Sequence, residues 1–574
     1  TNKLLFLLKM VASSFEECQH ISGIDSVNNK RLGPDMKGLM MHRPLRIVDI
    51  LTFGEETHSE AEIVSVTVEG GIHRTTYGKT APRVRKMANA LKSLNVKLGD
   101  RVATLAWNGY RHFELYYAIS GIGAICHTIN PRLSAEQMVY IINHAGDSVI
   151  CVDLTFVPIL EALKSQLNSD IIYIIMTDRD HMPKTTLQNV VCYEEILELG
   201  EADIEWPEFP EETASSLCYT SGTTGNPKGS LYTHRSTVLH SLTAGISFPE
   251  TMRAGVKILP VVPLFHVNAW GLAYVAPLVG ASIIFPGPNL DGKSIFDLMD
   301  SEQVFSAWGV PTVWLGLLSE IKNRDQIPNG FGEVIIGGSA VPKYMVESFE
   351  KMNVSVCHAW GMTEMSPIGT NGRLSPVHSQ LPLKERIDLK VKQGRRVYGV
   401  ELKIIDEIGN RLPHDGVSNG ELYVRGNMII SDYYNNPEAT RDAMDADGWF
   451  GTGDVATIDS NGFLTITDRA KDLIKSGGEW ISSIDVENMA MGHDDVSNCA
   501  VIAIPDPKWD ERPLLIVVPN SDVKPDATSI LNHLSKNLAK WQVPDKVIFV
   551  ESLPLTATGK VSKLTLRKEY SGES

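Results

Sequence analysis

Residues 219–229, YTSGTTGNPKG, bring glycines, hydroxyl side chains and one lysine together in a short stretch of the chain. Backbone N–H groups of a glycine-rich turn can converge on an anion, hydroxyl groups add hydrogen-bond donors, and Lys228 adds a mobile positive charge. A Walker A loop has Gly-Lys followed directly by Ser or Thr, whereas here Lys228 precedes Gly229. A flexible surface turn is the alternative interpretation. The order of residues favours a phosphate-binding loop, with ATP as the ligand.

Four further motifs follow this loop: WGMTE at residues 360–364, GTGD at 451–454, DRAKDLIKSGGEWI at 468–481 and PLTATGK at 554–560. Together with the phosphate loop they resemble the signature of the adenylate-forming (AMP-binding) superfamily, which includes acyl-CoA synthetases, firefly luciferases and nonribosomal-peptide adenylation domains. The resemblance is to fatty acyl-CoA synthetases and to the related 3-(methylthio)propionyl-CoA ligases. Because five motifs occur in the right order, chance assembly is implausible.

The resemblance implies which residues bind the nucleotide and its metal. Glu364 and Thr220 are expected at Mg²⁺, a hard cation that typically takes one or two carboxylates plus phosphate oxygens. A surface helix residue is the alternative reading of Glu364. The expected triphosphate ligands are Thr220, Ser221, Gly222, Thr223, Thr224, Gly225 and Lys228.

The adenosine part of ATP is assigned to three other stretches. The turn after the apolar strand at 334–336 lets the backbone approach adenine, although such a turn is also ordinary at strand ends. Asp454 lies in a glycine-rich turn, where a carboxylate can accept both ribose hydroxyls or simply form the turn. Its position fifteen residues before Arg469 resembles the ribose-binding pair of the family. The expected residues are Gly338, Ser339, Ala340, His358, Ala359, Trp360, Gly361, Met362, Thr363, Asp454 and Arg469.

The C-terminal motifs imply two half-reactions that share one site. Lys560 resembles the lysine that neutralises the adenylation transition state, and Lys471 resembles the hinge about which the small domain rotates. A hinge changes its backbone angles at few residues, so one site can serve two reactions in turn. Gly477, Gly478 and Glu479 resemble the loop that lines the pantetheine channel of coenzyme A. Positions that contact nucleotide in some long-chain fatty acyl-CoA synthetases correspond to Lys475 and Trp480.

The acid-binding segment is expected at residues 263–274, PLFHVNAWGLAY. It resembles the segment that covers the acyl tunnel of fatty acyl-CoA synthetases, with Trp270 as the gate and His266 near the carboxylate. Residues four apart share one face of a helix, and core packing is the alternative interpretation. We expect Gly271 and Gly309 to leave room for an aliphatic acid between the apolar walls of two neighbouring tryptophans, Trp308 and Trp314.

The predicted reaction is acid–thiol ligation. The sequence contains no Gly-x-Ser-x-Gly elbow, so the substrate carboxylate itself is expected to attack the α-phosphorus of ATP before the CoA thiolate displaces AMP. The enzyme then supplies mainly positioning and charge stabilisation. A medium- or long-chain fatty acid is the expected substrate, and 3-(methylthio)propionate is the alternative. A luciferase-like monooxygenase or a carrier-protein-loading enzyme are further readings, disfavoured by the SGES end and by the short tail after Lys560.

Composition excludes several partners. The 574 residues carry a net charge of -16, which argues against bulk binding to nucleic acid. Seven cysteines lack CxxC spacing, which favours a reducing compartment and no metal-thiolate site. No apolar run approaches the roughly 18 residues of a membrane span. We therefore expect a soluble, cytoplasmic enzyme that binds a carboxylic acid, ATP and CoA and that can form a homodimer.

Continuous apolar runs at 102–106, 149–152, 171–175, 258–262, 282–285 and 334–336 alternate with helical patterns such as 82–94, which predicts an α/β fold with mostly parallel sheets. Alternating runs at 398–467 predict a small antiparallel, β-barrel-like sheet. A fresh α+β pattern follows. We predict an extension outside the fold with a processed or truncated start (1–35), a large adenylation domain (36–469) and a small mobile C-terminal domain (470–574).

Overall fold

Buried parallel strands form the centre of the molecule, as the continuous apolar runs predict. The structure is a computed structural model that describes residues 38–220, 226–520, 526–556 and 559–570. The described residues from Pro44 onward belong to one compact unit. The predicted α/β fold class is confirmed.

The strands are β1 (Glu62–Val66), β2 (Ile72–Thr76), β3 (Arg101–Leu105), β4 (Ile125–Thr128), β5 (Val149–Val152), β6 (Ile172–Ile175), β7 (Val190–Cys192), β8 (Ala214–Tyr219), β9 (Gly229–Thr233), β10 (Lys257–Pro260), β11 (Ser282–Phe285), β12 (Ser306–Gly309), β13 (Glu333–Ile336), β14 (Ser355–Gly361), β15 (Ile368–Asn371), β16 (Gly394–Arg396), β17 (Val400–Ile405), β18 (Gly420–Gly426), β19 (Phe450–Ile458), β20 (Phe463–Arg469), β21 (Ile474–Ser476), β22 (Glu479–Ile481), β23 (Val496–Asp506), β24 (Asp510–Pro519) and β25 (Lys546–Phe549).

The helices are α1 (Ile47–Thr57), α2 (Tyr77–Ser93), α3 (Tyr110–Gly121), α4 (Ala135–Ala145), α5 (Val157–Leu163), α6 (Tyr193–Leu199), α7 (His234–Ser247), α8 (Val267–Trp270), α9 (Leu272–Val279), α10 (Gly292–Glu302), α11 (Pro311–Arg324), α12 (Lys343–Lys351), α13 (Leu383–Lys390), α14 (Pro437–Ala443), α15 (Ser483–Ala490), α16 (Ala527–Asn537) and α17 (Lys563–Tyr570). Helix α2 begins before the predicted residue 82 because the Thr76 side chain accepts a hydrogen bond from Lys79 N and caps it.

The first sheet has seven strands in the order β7-β6-β5-β3-β4-β8-β9. Its pairs are parallel except for β8 and β9, which run antiparallel on either side of the phosphate loop. Every residue of β4 and β5 is buried, because helices cover both faces of a parallel sheet. The phosphate loop therefore leaves the carboxyl end of a buried parallel strand, the usual place for ligands in α/β sheets.

The second sheet joins thirteen strands in the order β17-β18-β19-β20-β16-β15-β14-β13-β12-β10-β11-β1-β2. Strand β14 is the point where the sheet changes direction, since its first half pairs parallel with β13 and its last three residues pair antiparallel with β15. The antiparallel strands predicted for residues 398–467 are thus present, but hydrogen bonds continue from them into the parallel strands. A single long strand can serve both sheets because its two halves have different neighbours.

The third sheet contains β22, β21, β24 and β23 in that order, with β25 beside β24. All five strands follow Arg469, the residue after which we predict the domain boundary. Helices α15 and α16 cover one face with the buried side chains of Val486, Ala490, Ile530 and Leu534. This part of the chain therefore has its own apolar core, as the predicted α+β pattern requires.

Two further observations concern membrane-spanning helices and the state of the cysteines. Among the residues that the structure describes, no helix combines the length and the apolar character needed to cross a membrane. Six cysteines lie in the described part of the chain, and all six are buried free thiols: Cys126, Cys151, Cys192, Cys218, Cys357 and Cys499.

Candidate active site

Two hydrogen bonds between Thr220 and Lys228 join the two ends of the phosphate loop. Thr220 N donates to the Lys228 carbonyl at 2.9 Å, and Lys228 N donates to Thr220 Oγ1 at 3.1 Å. The Lys228 ammonium lies 5.0 Å from the centre of the Tyr433 ring, within the range of a cation–π interaction. The predicted phosphate ligands Ser221, Gly222, Thr223, Thr224 and Gly225 lie outside the described residues.

Glu364 is a buried carboxylate with a fixed orientation. It lies in a short 3₁₀ turn between β14 and β15, and its Oε1 accepts a hydrogen bond from Tyr433 Oη at 2.6 Å. Its backbone carbonyl accepts a second hydrogen bond from Ile430 N at 3.0 Å. Burial raises the pKa of Glu364, and the Tyr433 hydrogen bond opposes that rise. The sequence did not identify Tyr433, because no local pattern pairs residues 69 positions apart.

The donor set around Glu364 fits a metal that arrives with a nucleotide. No group of three His, Cys, Asp or Glu side chains that could hold a metal ion occurs among the described residues. One carboxylate and the Thr220 hydroxyl suit Mg²⁺, which keeps several waters and takes phosphate oxygens as ligands. These residues therefore fit a Mg²⁺ ion that arrives bound to the nucleotide.

Asp454 and Arg469 face each other across the β19–β20 hairpin, so fifteen residues of chain bring them into direct contact. Arg469 Nε lies 2.8 Å from Asp454 Oδ1, and Trp360 Nε1 donates to Asp454 Oδ2 at 3.0 Å. Each carboxylate oxygen has two lone pairs, so both can still accept a ribose hydroxyl. Asp454 therefore brings together three of the predicted motifs, at residues 360–364, 451–454 and 468–481.

The turn after β13 is narrow because glycines bring other groups close to its backbone. A Cβ on Gly337 would lie 2.9 Å from the Ala359 carbonyl oxygen and 3.1 Å from the Trp270 ring. Gly338 has a φ of +84°, and a Cβ there would lie 3.6 Å from Lys560 Cε. The predicted adenine turn, acid gate and catalytic lysine are thus adjacent.

The remaining predicted adenine residues differ in their placement. The His358 side chain is buried and its Nδ1 lies 2.9 Å from the Val391 carbonyl oxygen. Burial lowers the pKa of His358 to about 4, so the ring is neutral at pH 7. Ser339 is exposed, Thr363 is buried, and the others are partly buried: Ala340, Ala359, Gly361 and Met362.

Lys560 reaches the ATP residues from the C-terminal part of the chain. The preceding Gly559 carbonyl accepts a hydrogen bond from Thr312 Oγ1 at 3.4 Å, which joins this motif to α11. Burial lowers the pKa of Lys560 to about 8, nearby Arg469 lowers it further, and Asp454 and Glu364 oppose the change. The charge of Lys560 therefore interacts with the two carboxylates of the predicted nucleotide site.

The loop predicted to face CoA is not brought to this site. Lys475, Gly477, Gly478, Glu479 and Trp480 belong to the β21–β22 hairpin. Lys475 Nζ lies 5.7 Å from the Trp480 ring, and Gly477 N donates to the Trp509 carbonyl at 2.7 Å. Burial lowers the pKa of the predicted hinge residue Lys471, and the adjacent Asp472 raises it. Lys560 lies beside the predicted adenine turn at Gly338, whereas the hairpin contacts Trp509.

The predicted acid-binding segment contains a left-handed turn, so our expectation of a shared helical face for His266 and Trp270 is wrong. Val267, Asn268, Ala269 and Trp270 have φ angles of 48°, 53°, 49° and 56°, and Gly271 follows at 77°. Each L-residue in left-handed helical geometry costs roughly 1–2 kcal/mol because its Cβ crowds the next carbonyl oxygen. The sequence carries no signal for this turn, since valine and tryptophan disfavour it.

The space that a side chain at Gly271 or Gly309 would occupy is already filled by other residues. These two glycines therefore do not leave room for the acid, contrary to our expectation. A Cβ on Gly271 would lie 2.6 Å from the His240 imidazole, and a Cβ on Gly309 would lie 2.9 Å from the Trp314 ring. Trp314 also belongs to a different apolar cluster from Trp308 and Trp270, so the two neighbouring tryptophans do not form one pocket. Glycine at these positions allows close packing, which a sequence cannot distinguish from free volume.

His266 lies near Lys560 and is neutral. Burial lowers the pKa of His266 to about 3, and the charge of Lys560 lowers it further. A neutral imidazole can donate one hydrogen bond and accept another. His266 therefore can contact a carboxylate or its adenylate without adding charge.

Comparisons with known proteins give consistent results. The profile of the AMP-binding enzyme family matches residues 54–434, and that of the AMP-binding enzyme C-terminal domain matches residues 485–560. A 3-methylmercaptopropionyl-CoA ligase of Ruegeria lacuscaerulensis is 48% identical over 93% of this chain and 99% of its own. A medium-chain-fatty-acid–CoA ligase of Ectopseudomonas oleovorans is 46% identical over 93% of this chain and 98% of its own. In fold, an anthranilate CoA ligase bound to anthranoyl-AMP is similar, with a TM-score of 0.81 at 23% identity over 92% of this chain and 98% of its own.

Proposed function

The chain belongs to the AMP-binding enzyme family and is an AMP-forming acid–thiol ligase, and from this premise we propose that it activates an aliphatic carboxylic acid with Mg·ATP and transfers the acyl group to CoA. One observation carries the proposal: Lys560, Trp270 and Ala359 converge on the Gly337–Gly338 turn. This turn is where a carboxylate, a nucleotide and a positive charge can meet.

The reaction has two displacement steps. A carboxylate oxygen attacks the α-phosphorus of ATP, the bond from that phosphorus to the bridging oxygen breaks, and pyrophosphate leaves. The CoA thiolate then attacks the acyl carbon, the bond from that carbon to the AMP oxygen breaks, and AMP leaves while the thiol proton passes to solvent. Positioning and charge stabilisation are the main contributions of a protein to phosphoryl chemistry of this kind.

The charge and position of each residue indicate its role in the reaction. Lys560 stabilises the negative charge that develops as pyrophosphate leaves, and Asp454 orients the ribose. Glu364 and Thr220 would hold Mg²⁺, which would neutralise phosphate charge when bound. His266 contacts the carboxylate, and Trp270 closes the acid pocket. For the second step we propose that Lys471 acts as the hinge that brings the 477–479 loop to the site in place of Lys560.

The substrate that we propose is a medium- or long-chain fatty acid. A short aliphatic acid such as 3-(methylthio)propionate is a second candidate, because the 48%-identical relative is named for that substrate and because His240 and Trp314 occupy the space beside Gly271 and Gly309. A deep tunnel accepts long chains, whereas a pocket filled by these rings favours short ones.

The test is pyrophosphate release with Mg·ATP across acids from propionate and 3-(methylthio)propionate to palmitate, with and without CoA, with the products identified by mass spectrometry. CoA-dependent acyl-CoA and AMP with one of these acids would support the proposal and rank the substrates. An acyl-adenylate that accumulates and ignores CoA would contradict CoA ligation and favour carrier loading or oxidation.

Replacing Trp270 with alanine is expected to change the preference among acids, because its ring lies against Gly337 at the mouth of the proposed pocket. We expect the ratio of kcat/KM between long and short acids to shift about 10-fold, the value of one or more methylenes in an apolar pocket. The measurement is the chain-length profile of acyl-CoA formation, with the exposed Trp541→Ala as the matched control. An unchanged profile would contradict the gate assignment.

The adenylation half-reaction is expected to slow as the pH rises above about 8. Burial lowers the pKa of Lys560 to about 8, so this lysine loses the charge that step requires at a lower pH than an exposed lysine does. The kcat/KM for ATP, which reports the free enzyme, should fall about tenfold per pH unit above that value. Lys560→Arg stays charged, so its weaker activity should remain flat over the same range. An identical decline in both enzymes would assign the titration to another group.

Two assignments concern the cellular form of the protein. We propose a cytoplasmic location, supported by the six buried free thiols in the described part of the chain, which are typical of a reducing compartment. The homodimer and the boundary after residue 469 stay predictions.

A further inference from the structure

The side chain of Asn268 forms hydrogen bonds that stabilise the left-handed turn of which it is part. This amide is buried, and its Nδ2 donates a hydrogen bond to Ser216 Oγ at 3.1 Å. Its Oδ1 accepts hydrogen bonds from Tyr116 Oη at 3.1 Å and from Cys218 Sγ at 3.5 Å. Asn268 therefore binds three side chains while its own backbone has the strained φ of 53°.

Two of these partners lie on the strand that leads into the phosphate loop. Ser216 and Cys218 belong to β8, which ends at Tyr219, immediately before Thr220. The third partner, Tyr116, also donates to the Leu264 carbonyl at 2.6 Å, on the chain that enters the turn. Burial raises the pKa of Tyr116 well above its ordinary value, so its hydroxyl remains a donor. The acid segment and the phosphate strand are thus joined by hydrogen bonds.

The residues on either side of Asn268 make contacts at the reaction centre. Val267 packs in a small cluster with Cys218 and Tyr232, against which Trp270 also packs. The Tyr232 hydroxyl donates to the Thr363 carbonyl, next to the predicted metal ligand Glu364. A rotation of the turn would therefore move the Trp270 ring away from Gly337 and disturb the approach of the acid.

We propose that Asn268 is a positioning residue for the acid: it fastens the left-handed Val267–Trp270 turn to β8, so that the acid pocket and the phosphates keep one relative position. The inference rests on the proposed function. Asparagine suits the task because it tolerates the left-handed region and also offers both a donor and an acceptor. Backbone strain that persists at a site is evidence for a functional constraint when the surroundings hold it in place.

The test distinguishes the effect of the Asn268 amide from the effect of the backbone strain at this position. Asn268→Gly keeps the left-handed backbone accessible and removes the amide, Asn268→Asp keeps the size and removes the Nδ2 donor, and Ser216→Ala removes the partner on β8. Asn353→Gly is the matched control, because Asn353 is exposed and has a φ of 60°. The readouts are KM for the acid, KM for ATP and kcat in acid-dependent pyrophosphate release, together with the Tm.

We expect the kcat/KM for the acid to fall about 10-fold or more in Asn268→Gly and Ser216→Ala, because small displacements of a positioned reactant cost that much or more in rate. The KM for ATP should stay near the wild-type value, the Tm should fall by only a few degrees because one buried polar group loses its partner, and Asn353→Gly should behave as wild type. The double variant should lose less than the sum of the single effects, since both remove the same hydrogen bond.

Two results would overturn the role of Asn268. One is an unchanged kcat/KM for the acid in both Asn268→Gly and Ser216→Ala. The other is a parallel loss of acid binding, ATP binding and Tm, which is the pattern of a residue that only stabilises the fold. A failure of the proposed function would look different, because the wild-type enzyme itself would then yield no acyl-CoA from any acid.

Discussion

Lys560→Ala is expected to lower the rate of acyl-adenylate formation about 100- to 1,000-fold, the range for removal of one preorganised group that stabilises a transition-state charge. The physical reason is its position: Lys560 lies beside Gly338 and interacts electrostatically with Asp454 and Glu364, where pyrophosphate would leave. The measurement is pyrophosphate release from Mg·ATP and the acid in the absence of CoA.

The same variant should keep most of its second half-reaction. In our proposal the C-terminal part rotates before CoA attacks, so Lys560 is no longer in the site and acyl-CoA formation from supplied acyl-AMP should remain within about threefold of wild type. Lys568→Ala, an exposed lysine of α17, is the matched control and should leave both half-reactions intact. Equal loss of the two half-reactions would contradict the assigned role and indicate a general loss of structure.

Glu364→Gln is expected to raise the Mg²⁺ concentration needed for half-maximal adenylation about 10- to 100-fold, and to lower the maximal rate. The substitution keeps the size of the side chain and its acceptor for Tyr433 Oη, but it removes the buried negative charge. Loss of supporting interactions around a metal already costs about 10- to 100-fold in affinity or activity. The measurement is pyrophosphate release titrated with Mg²⁺ at saturating ATP.

Two variants make the Glu364 experiment specific. Glu407→Gln removes an exposed carboxylate and should leave the Mg²⁺ titration unchanged. Tyr433→Phe keeps the Glu364 charge and removes the hydrogen bond that orients it, so its effect should be smaller but of the same kind. If Glu364→Gln titrated with Mg²⁺ like the wild type, the metal would be bound elsewhere.

Local features were predictable because they depend on short stretches of chain. The run at 149–152 became β5 with the same bounds, since four consecutive apolar residues suit a strand buried on both faces. The Asn461–Gly462 pair, a residue pair typical of hairpin turns, connects β19 and β20 with Gly462 at a φ of 81°. The Asp454–Arg469 pair followed from this hairpin, because its register sets those two residues opposite each other.

By itself the sequence determined the family, the order of the motifs and the α/β class, because each depends on residue types at fixed local spacing. The tertiary structure alone decided which distant groups touch: Tyr433 with Glu364, His240 with Gly271, and Lys560 with the Gly338 turn. It also decided the left-handed turn at Asn268, where hydrogen bonds to β8 outweigh the preference of each residue. A local preference is about 1–2 kcal/mol per residue, and several contacts from other elements acting together can exceed it.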